Sequence, residues 1–510
     1  MHSLLRMATR FGWVAPPHRM APRLAAVLIA AAVATACTGQ PDDRSTPQAP
    51  SGQAESTAGY SGPSVKGSPH PVGAKWAWAR VDRFTPYLHE LSGGSTFFIV
   101  VWCDVERQQG RRDWSRIDEV VRSTRTLGYT LLLKIRTGSC WATGGQRGTL
   151  RGSGRDQKSA SATPHDLAAY QDFVHDVVRR YSAQDVHDYA IENEPNARKF
   201  FWDGTAQEYE RLVTTAAATV RSVDPRAVVH DGGLASTAYG TGIAEHLLTK
   251  GREAEAVAAY RRYYSRYADA QGDTESQVTN ADELRMELDS EQSRRDLDML
   301  TATLRLARSK VIDAYQLHFY ESWDNLPAVL AYLHEVLPSS FPIEAWEVGM
   351  FWRDGPADEQ VRAAEVVKAV AILLAGGVRR VIWLPLAYNA ENGDERGEIR
   401  YGLLNPDGRP RVAAAALRDI AKAASSTIWR AVLTDEVTGI VFGREGKSTL
   451  LLWSDRGTNL SRAKQARLRV QGMDGKQLPA TPEGLRLSPQ PVFITVMAAP
   501  SEALQVVGLS

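Results

Sequence analysis

Residues 96–135 read TFFIVVWCDVERQQGRRDWSRIDEVVRSTRTLGYTLLLKI, and this stretch contains one repeating unit of the fold. The apolar runs TFFIVVW (96–102) and YTLLLKI (129–135) are typical of buried strands. Between them, WSRIDEVVRSTRTLG (114–128) places its apolar residues at helical spacing. A strand, a helix and a second strand in this order indicate a parallel β-α-β unit.

Similar units continue on both sides of this stretch. Amphipathic helical patterns recur, for example at 165–181 and 357–377. Apolar strand-like runs lie at 75–81, 96–102, 129–135, 187–193, 227–232, 313–320, 341–348 and 379–386. Strands that alternate with helices eight times predict an α/β fold, namely a (β/α)8 TIM barrel that covers residues 73–425.

Two long segments interrupt the predicted barrel. Residues 246–311, between the fifth and sixth strands, form a highly charged helical stretch. We expect a solvated helical bracket there, and a partner-binding arm is the alternative. Residues 142–163 are rich in Gly, Ser and Arg and follow the third strand. On a barrel, this loop belongs to the rim where active sites lie, either as a lid or as a simple loop.

The pattern changes after Ser425. Short β-like runs are separated there by Gly, Asp, Asn and Pro, and they read IWRAVL, EVTGIVF, STLLLWS, ARLRVQG and PVFITVM. This spacing predicts a small C-terminal all-β sandwich domain at 426–510. We expect it to pack against the side of the barrel.

The N-terminus indicates export. The apolar run LAAVLIAAAVA (24–34) follows basic residues and is too short to span a bilayer as a mature helix, so residues 1–36 are predicted to be a signal peptide. The following ATAC resembles a bacterial lipobox, which implies lipidation of Cys37 and a cell-surface lipoprotein, with simple secretion as the alternative. Residues 37–72 have the composition of a disordered tether. Membrane contact is expected only through the lipid anchor, and translation could start at Met1 or Met20.

Charge and cysteine content exclude several classes of function. The chain has 60 basic and 59 acidic residues, which gives no reason to expect a nucleic-acid partner. Removing residues 1–36, which hold four arginines and no acid, changes the formal net charge from +1 to −3. Cys103 and Cys140 then remain, and either one disulfide or two free thiols is consistent with their positions. The cysteines and histidines lack metal-site spacing, so no metal and no cofactor is expected.

Glutamates follow or end two of the predicted strands. Glu194 lies in IENEPN (191–196) after the fourth strand, and Glu347 lies in IEAWEVG (343–349) on the seventh. Charges are unfavourable on strands unless they are paired, so two glutamates at the carboxyl ends of barrel strands indicate a facing pair. Such a pair is what a glycosidase needs, since one group protonates the leaving oxygen and the other attacks the anomeric carbon.

These motifs resemble those of the retaining glycoside hydrolases of clan A, and the residue pattern is most similar to that of glycoside hydrolase family 39. The similar features are NEP at 193–195, Glu347, the segment 100–135, and YGLLNPDGRPRVAAAALRDI at 401–420. The resemblance implies that Glu194 is the general acid/base, Glu347 the nucleophile, and Asn193 a hydrogen-bond partner of the sugar 2-hydroxyl. The implied substrate is a β-linked poly- or oligosaccharide. A non-catalytic carbohydrate-binding surface protein is the alternative, and the sequence indicates neither the sugar nor the oligomeric state.

The resemblance also implies weaker site residues. His318 and Tyr320 on the sixth strand would steady the nucleophile and contact the sugar, unless they are satisfied core groups. Trp383 on the eighth strand would form an aromatic platform for a sugar ring, with core packing as the alternative. Trp102 and Arg136, at the ends of the second and third strands, could line the subsite or belong to simple salt bridges at the rim.

Overall fold

The computed structural model of the protein describes residues 65–66, 69–78, 81–143, 150–151, 158–159, 161–198, 201–270, 278–350, 358–386, 402–405, 407–425, 428–433, 436–444, 446–460, 468–478 and 484–509. The predicted signal peptide and most of the predicted tether, including Cys37, lie outside the described residues. Within the ranges given, every helix is too short or too polar to cross a lipid bilayer.

The predicted α/β fold with parallel strands is confirmed. Its parallel strands are β1 (Val72–Ala74), β2 (Ser95–Val101), β3 (Thr130–Arg136), β4 (Asp188–Ile191), β5 (Val228–His230), β6 (Tyr315–Phe319), β7 (Ile343–Val348) and β8 (Val381–Trp383). They form two four-stranded sheets among the described residues, in the orders β2-β3-β4-β5 and β1-β8-β7-β6. A parallel bridge between His230 and Ala314 joins β5 to the residue before β6. On the other side, a Cβ on Gly73 would lie 1.9 Å from the Ser95 carbonyl oxygen, so only glycine allows β1 to approach β2 this closely.

Seven of these strands overlap their predicted runs, and the first does not. The run KWAWARV at 75–81 was predicted as a strand, whereas β1 ends at Ala74. The tryptophans of that run instead pack just beyond the strand end, where the Trp76 ring lies 4.9 Å from Trp78 and 5.1 Å from Tyr129. Because aromatic side chains suit both a strand and a packed loop, the apolar pattern alone misplaced the strand.

Helices follow most of the parallel strands. They are α1 (Val81–Glu90), α2 (Trp102–Val105), α3 (Ser115–Leu127), α4 (Leu167–Ser182), α5 (Ala206–Val223), α6 (Thr237–Thr249), α7 (Glu253–Ala270), α8 (Ala281–Leu288), α9 (Glu291–Arg308), α10 (Leu326–Val336), α11 (Glu359–Ala375), α12 (Val412–Ala424) and α13 (Pro500–Val506), with a 3₁₀ turn at Trp323–Asn325. Local sequence sets several of their starts. At α5, for example, Thr205 and Glu208 form a capping box. The segment between β5 and β6 contains α6 to α9, which confirms its helical character.

The parallel strands contribute to a small apolar interior. It is formed by one buried residue from each of five strands, namely Phe97, Leu132, Ala190, Trp346 and Ile382. A group called here the amino-end cluster lies on one side of it and comprises Asp188, His230, Glu344 and Arg380. Arg380 Nη1 lies 3.0 Å from Asp188 Oδ1 and 2.9 Å from Glu344 Oε2. His230 Nε2 lies 3.4 Å from Asp188 Oδ1.

The C-terminal region is mainly antiparallel. Its strands are β9 (Ile428–Leu433), β10 (Thr438–Arg444), β11 (Lys447–Trp453), β12 (Asn459–Leu460), β13 (Arg469–Gln471), β14 (Gln477–Leu478), β15 (Leu485–Arg486) and β16 (Val492–Val496). A strand at Val65–Lys66, inside the predicted tether, pairs with β9 and starts a sheet that continues β10-β11-β16-β13-β14, while β12 pairs with β15. The sequence pattern did not predict the helix α13 in this region.

The two faces of this C-terminal sheet are both covered. Side chains such as Phe442 and Leu451 join the large core formed by the parallel strands and their helices. Their neighbours Val441 and Leu450 point the other way, into a separate apolar cluster that includes Ala503 of α13. The sheet therefore packs against the parallel-strand region, as expected.

Candidate active site

The carboxyl ends of β4, β6 and β7 bring Glu194, His318 and Glu347 together. One carboxylate oxygen from each glutamate and one ring nitrogen of His318 all lie within 4.8 Å of one another. Retaining glycosidases hold their two carboxyl groups about 5 Å apart. These three residues and Lys134, which contacts Glu347, are called the carboxyl-end cluster below.

A bulge in β7 directs Glu347 into the site. The pairing register of β7 shifts between Glu344 and Glu347 against β6, and between Ala345 and Val348 against β8. In a regular strand, adjacent residues point to opposite faces, so Trp346 and Glu347 would not both face the interior. Trp346 is part of the apolar interior, and Glu347 reaches Lys134 of β3, because the bulge reorients the side chain next to it.

Glu347 is held by two donors. Lys134 Nζ donates to Glu347 Oε1 at 2.6 Å, and the Tyr320 hydroxyl donates to Oε2 at 2.7 Å. Burial alone would raise the pKa of Glu347, but the nearby positive charges of His318 and Lys134 and these hydrogen bonds outweigh it and hold the pKa well below its usual value. The Glu347 carboxylate is therefore kept ionised.

Lys134 is a site residue that the sequence analysis did not identify. Its side chain is fully buried. Besides Glu347, its Nζ donates to Asn193 Oδ1 at 2.9 Å and lies 3.0 Å from His318 Nε2. The available signal was a lone cation in the apolar run TLLLKIR, because a buried charge requires a partner.

Glu194 occupies a tight turn after β4. Its φ is 43° and that of Glu192 is 69°, in the left-handed region that non-glycine residues rarely adopt. The Glu194 amide donates to the Gly232 carbonyl at 3.3 Å. Such conformations persist only where the surroundings enforce them, and they are frequent at active sites.

His318 connects Glu194 to the interior. Its Nδ1 lies 3.1 Å from Glu194 Oε1, and its Nε2 lies 2.7 Å from Gln316 Oε1. The Gln316 amide is oriented by its Nε2, which donates to the Asp231 carbonyl at 2.6 Å. A Cβ at Gly233 would lie 2.4 Å from His318 Nε2, so glycine is needed beside the ring.

Glu192 is a partnered structural group. Its Oε1 accepts from the Thr137 amide at 2.7 Å, and its Oε2 lies 3.5 Å from Arg136 Nε. Arg136 Nη2 also donates to the Phe201 carbonyl at 3.0 Å. Arg136 is buried, so salt bridging rather than lining of a subsite describes its contacts.

Two aromatic residues that were predicted to line the sugar site are buried. Trp383 is fully buried in the main core, whereas its neighbour Ile382 faces the interior, so Trp383 offers no exposed face to a sugar. Trp102 stacks on Phe173 at 5.7 Å and donates from Nε1 to Glu106 at 2.9 Å. The core-packing alternative describes Trp383, and Trp102 also packs in the core, where neither a subsite nor salt bridging at the rim had placed it. Their apolar runs gave no means of choosing between ring stacking and packing.

Cys103 and Cys140 form a disulfide with a Cα–Cα distance of 5.6 Å. The bridge joins α2, which follows β2, to the loop that follows β3. Most of the loop at 142–163 and the segment at 387–400, with Tyr388 and Asn389, lie outside the described residues.

Two groups of described residues have donor sets that could hold a metal ion. They are Glu194, His318 and Glu347, and Asp188, His230 and Glu344. In each group a protein cation already contacts a carboxylate, Lys134 at Glu347 and Arg380 at both Asp188 and Glu344. These contacts provide charge compensation within the chain itself.

The fold is similar to solved glycoside hydrolases. No family model and no curated protein matches the chain. A family 39 glycoside hydrolase from the gut symbiont Bacteroides cellulosilyticus WH2 superposes with a TM-score of 0.57 at 15% identity, covering 84% of this chain and 81% of that chain. A family 39 β-xylosidase from Caulobacter crescentus gives 0.52 at 12% identity, covering 85% and 98%. The resemblance to clan A glycoside hydrolases is therefore confirmed at the level of the fold.

Proposed function

We propose that the protein is a retaining glycoside hydrolase that cleaves a β-linked poly- or oligosaccharide by double displacement. Glu194 acts as general acid/base and Glu347 as nucleophile. The observation that carries this proposal is the pair of glutamates with oxygens within 4.8 Å of each other, of which only Glu347 contacts the buried ammonium. Carboxylates in unequal environments take different roles.

In the first step, the Glu347 carboxylate attacks the anomeric carbon while the bond to the leaving oxygen breaks and Glu194 donates its proton to that oxygen. Lys134 and Tyr320 keep Glu347 ionised and oriented for this attack. In the second step, Glu194 takes a proton from water, the water attacks the anomeric carbon, and Glu347 is released.

His318 supports the acid form of Glu194. Gln316 Oε1 can only accept, and its contact of 2.7 Å with His318 Nε2 is shorter than the 3.0 Å contact from Lys134, so we assign a hydrogen to Nε2. Nδ1 then faces Glu194 Oε1 and can exchange a proton with it. Asn193, held by Lys134 beside the nucleophile, is proposed to contact the sugar 2-hydroxyl.

The architecture proposed for this activity is a closed (β/α)8 barrel at 73–425 with the C-terminal region at 426–510 as an accessory β-sandwich domain. The two parallel sheets support closure because they meet at the His230–Ala314 bridge and at Gly73 beside Ser95. In such barrels the active site lies at the carboxyl ends of the strands.

Export with lipidation of Cys37 remains part of the proposal. The disulfide between Cys103 and Cys140 supports it, because disulfides persist in oxidising compartments. Expression of the chain and of its Cys37→Ser variant in a bacterial host tests it. The unmodified chain should incorporate labelled fatty acid, and the variant should not.

The enzymatic proposal is tested with aryl β-glycosides and polysaccharides, followed by product masses. Glu347→Gly should lose at least about 10,000-fold in kcat, since removing a nucleophile is among the largest single losses. Azide should restore turnover and give an α-glycosyl azide, because azide then displaces the leaving group once, with inversion. Glu344→Gln on the same strand is the control and should keep its kcat. Sugar binding without hydrolysis in the unmodified protein would support a non-catalytic binding protein instead.

A further inference from the structure

We propose that Arg295 and Asp296, at the start of α9 in the segment inserted between β5 and β6, position the general acid Glu194. The inference rests on the proposed function. It gives the inserted helices a role in the reaction, in contrast to the solvated bracket or partner-binding arm expected from their charge.

Arg295 donates hydrogen bonds to four backbone carbonyls in the chain that follows Glu194. Its Nη2 donates to the carbonyls of Pro195 and Trp202, both at 2.7 Å. Its Nε donates to the Asn196 carbonyl at 3.1 Å and its Nη1 to the Gly204 carbonyl at 3.1 Å. The residues after the acid and the residues that lead into α5 are thus fixed to one guanidinium group, whose planar set of donors suits several acceptors at once.

Asp296 binds the side chain two residues after Glu194. Its Oδ1 accepts from Asn196 Nδ2 at 2.8 Å and from Gln292 Nε2 at 2.9 Å. Asn196 Oδ1 in turn accepts from the Ala235 amide at 2.9 Å, in the loop after β5. Asn196 and Asp296 are both buried, so this connection is shielded from water.

The position of Glu194 depends on such support because of its backbone. The left-handed φ of 43° is unfavourable for a glutamate, and the turn must be held by its neighbours. The contacts of α9 begin at the next residue, Pro195. A displacement of about 1 Å in a catalytic group can cost about 100-fold in rate.

Two variants test the inference, Arg295→Met and the more conservative Arg295→Lys, which keeps the charge but cannot reach four carbonyl groups. The matched control is Arg305→Met on the same helix, since Arg305 pairs with Glu210 of α5 at 2.8 Å and not with residues 195–204 that follow Glu194. Each protein is assayed with a phenyl β-glycoside and with a dinitrophenyl β-glycoside of the same sugar. The phenyl group needs the acid to leave, and the dinitrophenyl group does not.

Both Arg295 variants should lose about tenfold to a hundredfold in kcat/KM with the phenyl glycoside and less than about threefold with the dinitrophenyl glycoside. Arg305→Met should change neither value by more than about twofold. If Arg295→Met does not fold, Arg295→Lys tests the inference with the same two substrates.

Equal losses on the two substrates, or no loss at all, would overturn the positioning role. The reference variant Glu194→Ala separates this result from failure of the proposed function. If Glu194→Ala discriminates between the two leaving groups and the Arg295 variants do not, only the positioning role fails. If the unmodified protein hydrolyses neither substrate, both proposals fail together.

Discussion

The two ends of the parallel strands carry nearly the same set of ionisable groups. The amino-end cluster has two carboxylates, a histidine and Arg380, and the carboxyl-end cluster has two carboxylates, a histidine and Lys134. The difference lies in how the cation is shared. Arg380 contacts both Asp188 and Glu344 through one nitrogen, whereas the hydrogen bonds of Lys134 include Glu347 and not Glu194.

This difference separates a structural ion network from the proposed catalytic site. Where one cation contacts both carboxylates, the cluster is a fixed structural element. Where the cation contacts only one, the two carboxylates lie in unequal environments, which suits the proposed division between nucleophile and acid/base. Arginine suits the first task because its guanidinium group is always charged and carries several donors, and the point charge of lysine suits the second.

The largest effect expected from this comparison is at Glu194. Glu194→Ala should lower kcat/KM for a phenyl glycoside by about 100-fold to 10,000-fold, the usual contribution of general acid catalysis. Azide should attack the accumulated glycosyl-enzyme and give a β-glycosyl azide, the opposite anomer from that formed by Glu347→Gly. If Glu194→Ala gave the α-anomer, the roles of the two glutamates would have to be exchanged.

Next in size is the loss of the shared cation at the amino end. Arg380→Met leaves Asp188 and Glu344 without their partner, and the free energy of unfolding should fall by about 3 to 5 kcal/mol. Urea denaturation measures this loss. The kcat of the folded molecules should stay within about twofold of the unmodified value, and a larger fall would mean that the two clusters are coupled.

The sequence predicted much of the fold because seven of the eight strand runs have a clear apolar pattern and are separated by amphipathic helices. It also identified Glu194 and Glu347, which the structure brings together, along with His318 and Tyr320. Charged residues at strand ends carry a strong signal, since they are costly without a partner.

Other features depended on contacts that no local pattern contains. The bulge that directs Glu347 inward is a register shift between strands. Lys134 belongs to the site only because of its contacts with Asn193 after β4, His318 on β6 and Glu347 on β7. Trp383 was expected to face the sugar. Because adjacent strand residues point to opposite faces and Ile382 faces the interior, Trp383 packs in the main core instead. Arg295 and Asp296 of the inserted helix α9 contact Pro195 and Asn196, which lie about 100 positions earlier in the chain.

A smaller effect is expected at Lys134. Because its charge helps to hold the pKa of Glu347 down, Lys134→Met should raise that pKa. The nucleophile then becomes protonated at higher pH, so the acid limb of kcat/KM against pH should move up by about one pH unit or more. An unchanged acid limb would show that Tyr320 and His318 keep Glu347 ionised without the lysine.

The smallest expected effects are opposite pH dependences of stability at two aspartates, Asp188 in the amino-end cluster and Asp231 behind the carboxyl-end cluster. Burial would raise the pKa of Asp188, but the charges of Arg380 and His230 and their hydrogen bonds hold it well below its usual value. Its stabilisation is therefore present above the unfolded pKa of about 3.9 and is lost as the pH falls further. Burial raises the pKa of Asp231, behind the carboxyl-end cluster, to about 6. Its contribution is present below about pH 3.9 and is lost as the pH rises through 6.

These signs can be checked with the free energy of unfolding from pH 3 to pH 8 for Asp188→Asn and Asp231→Asn. The deficit of Asp188→Asn relative to the unmodified protein should be largest near neutral pH and should shrink as the pH falls below 4. Asp231→Asn loses an acceptor for the Gly233 or Gln316 amide, which adds a constant offset. Because asparagine cannot ionise, its stability relative to the unmodified protein should still rise between pH 4 and pH 8. Slopes of the same sign in both variants would contradict the opposite pKa shifts of Asp188 and Asp231.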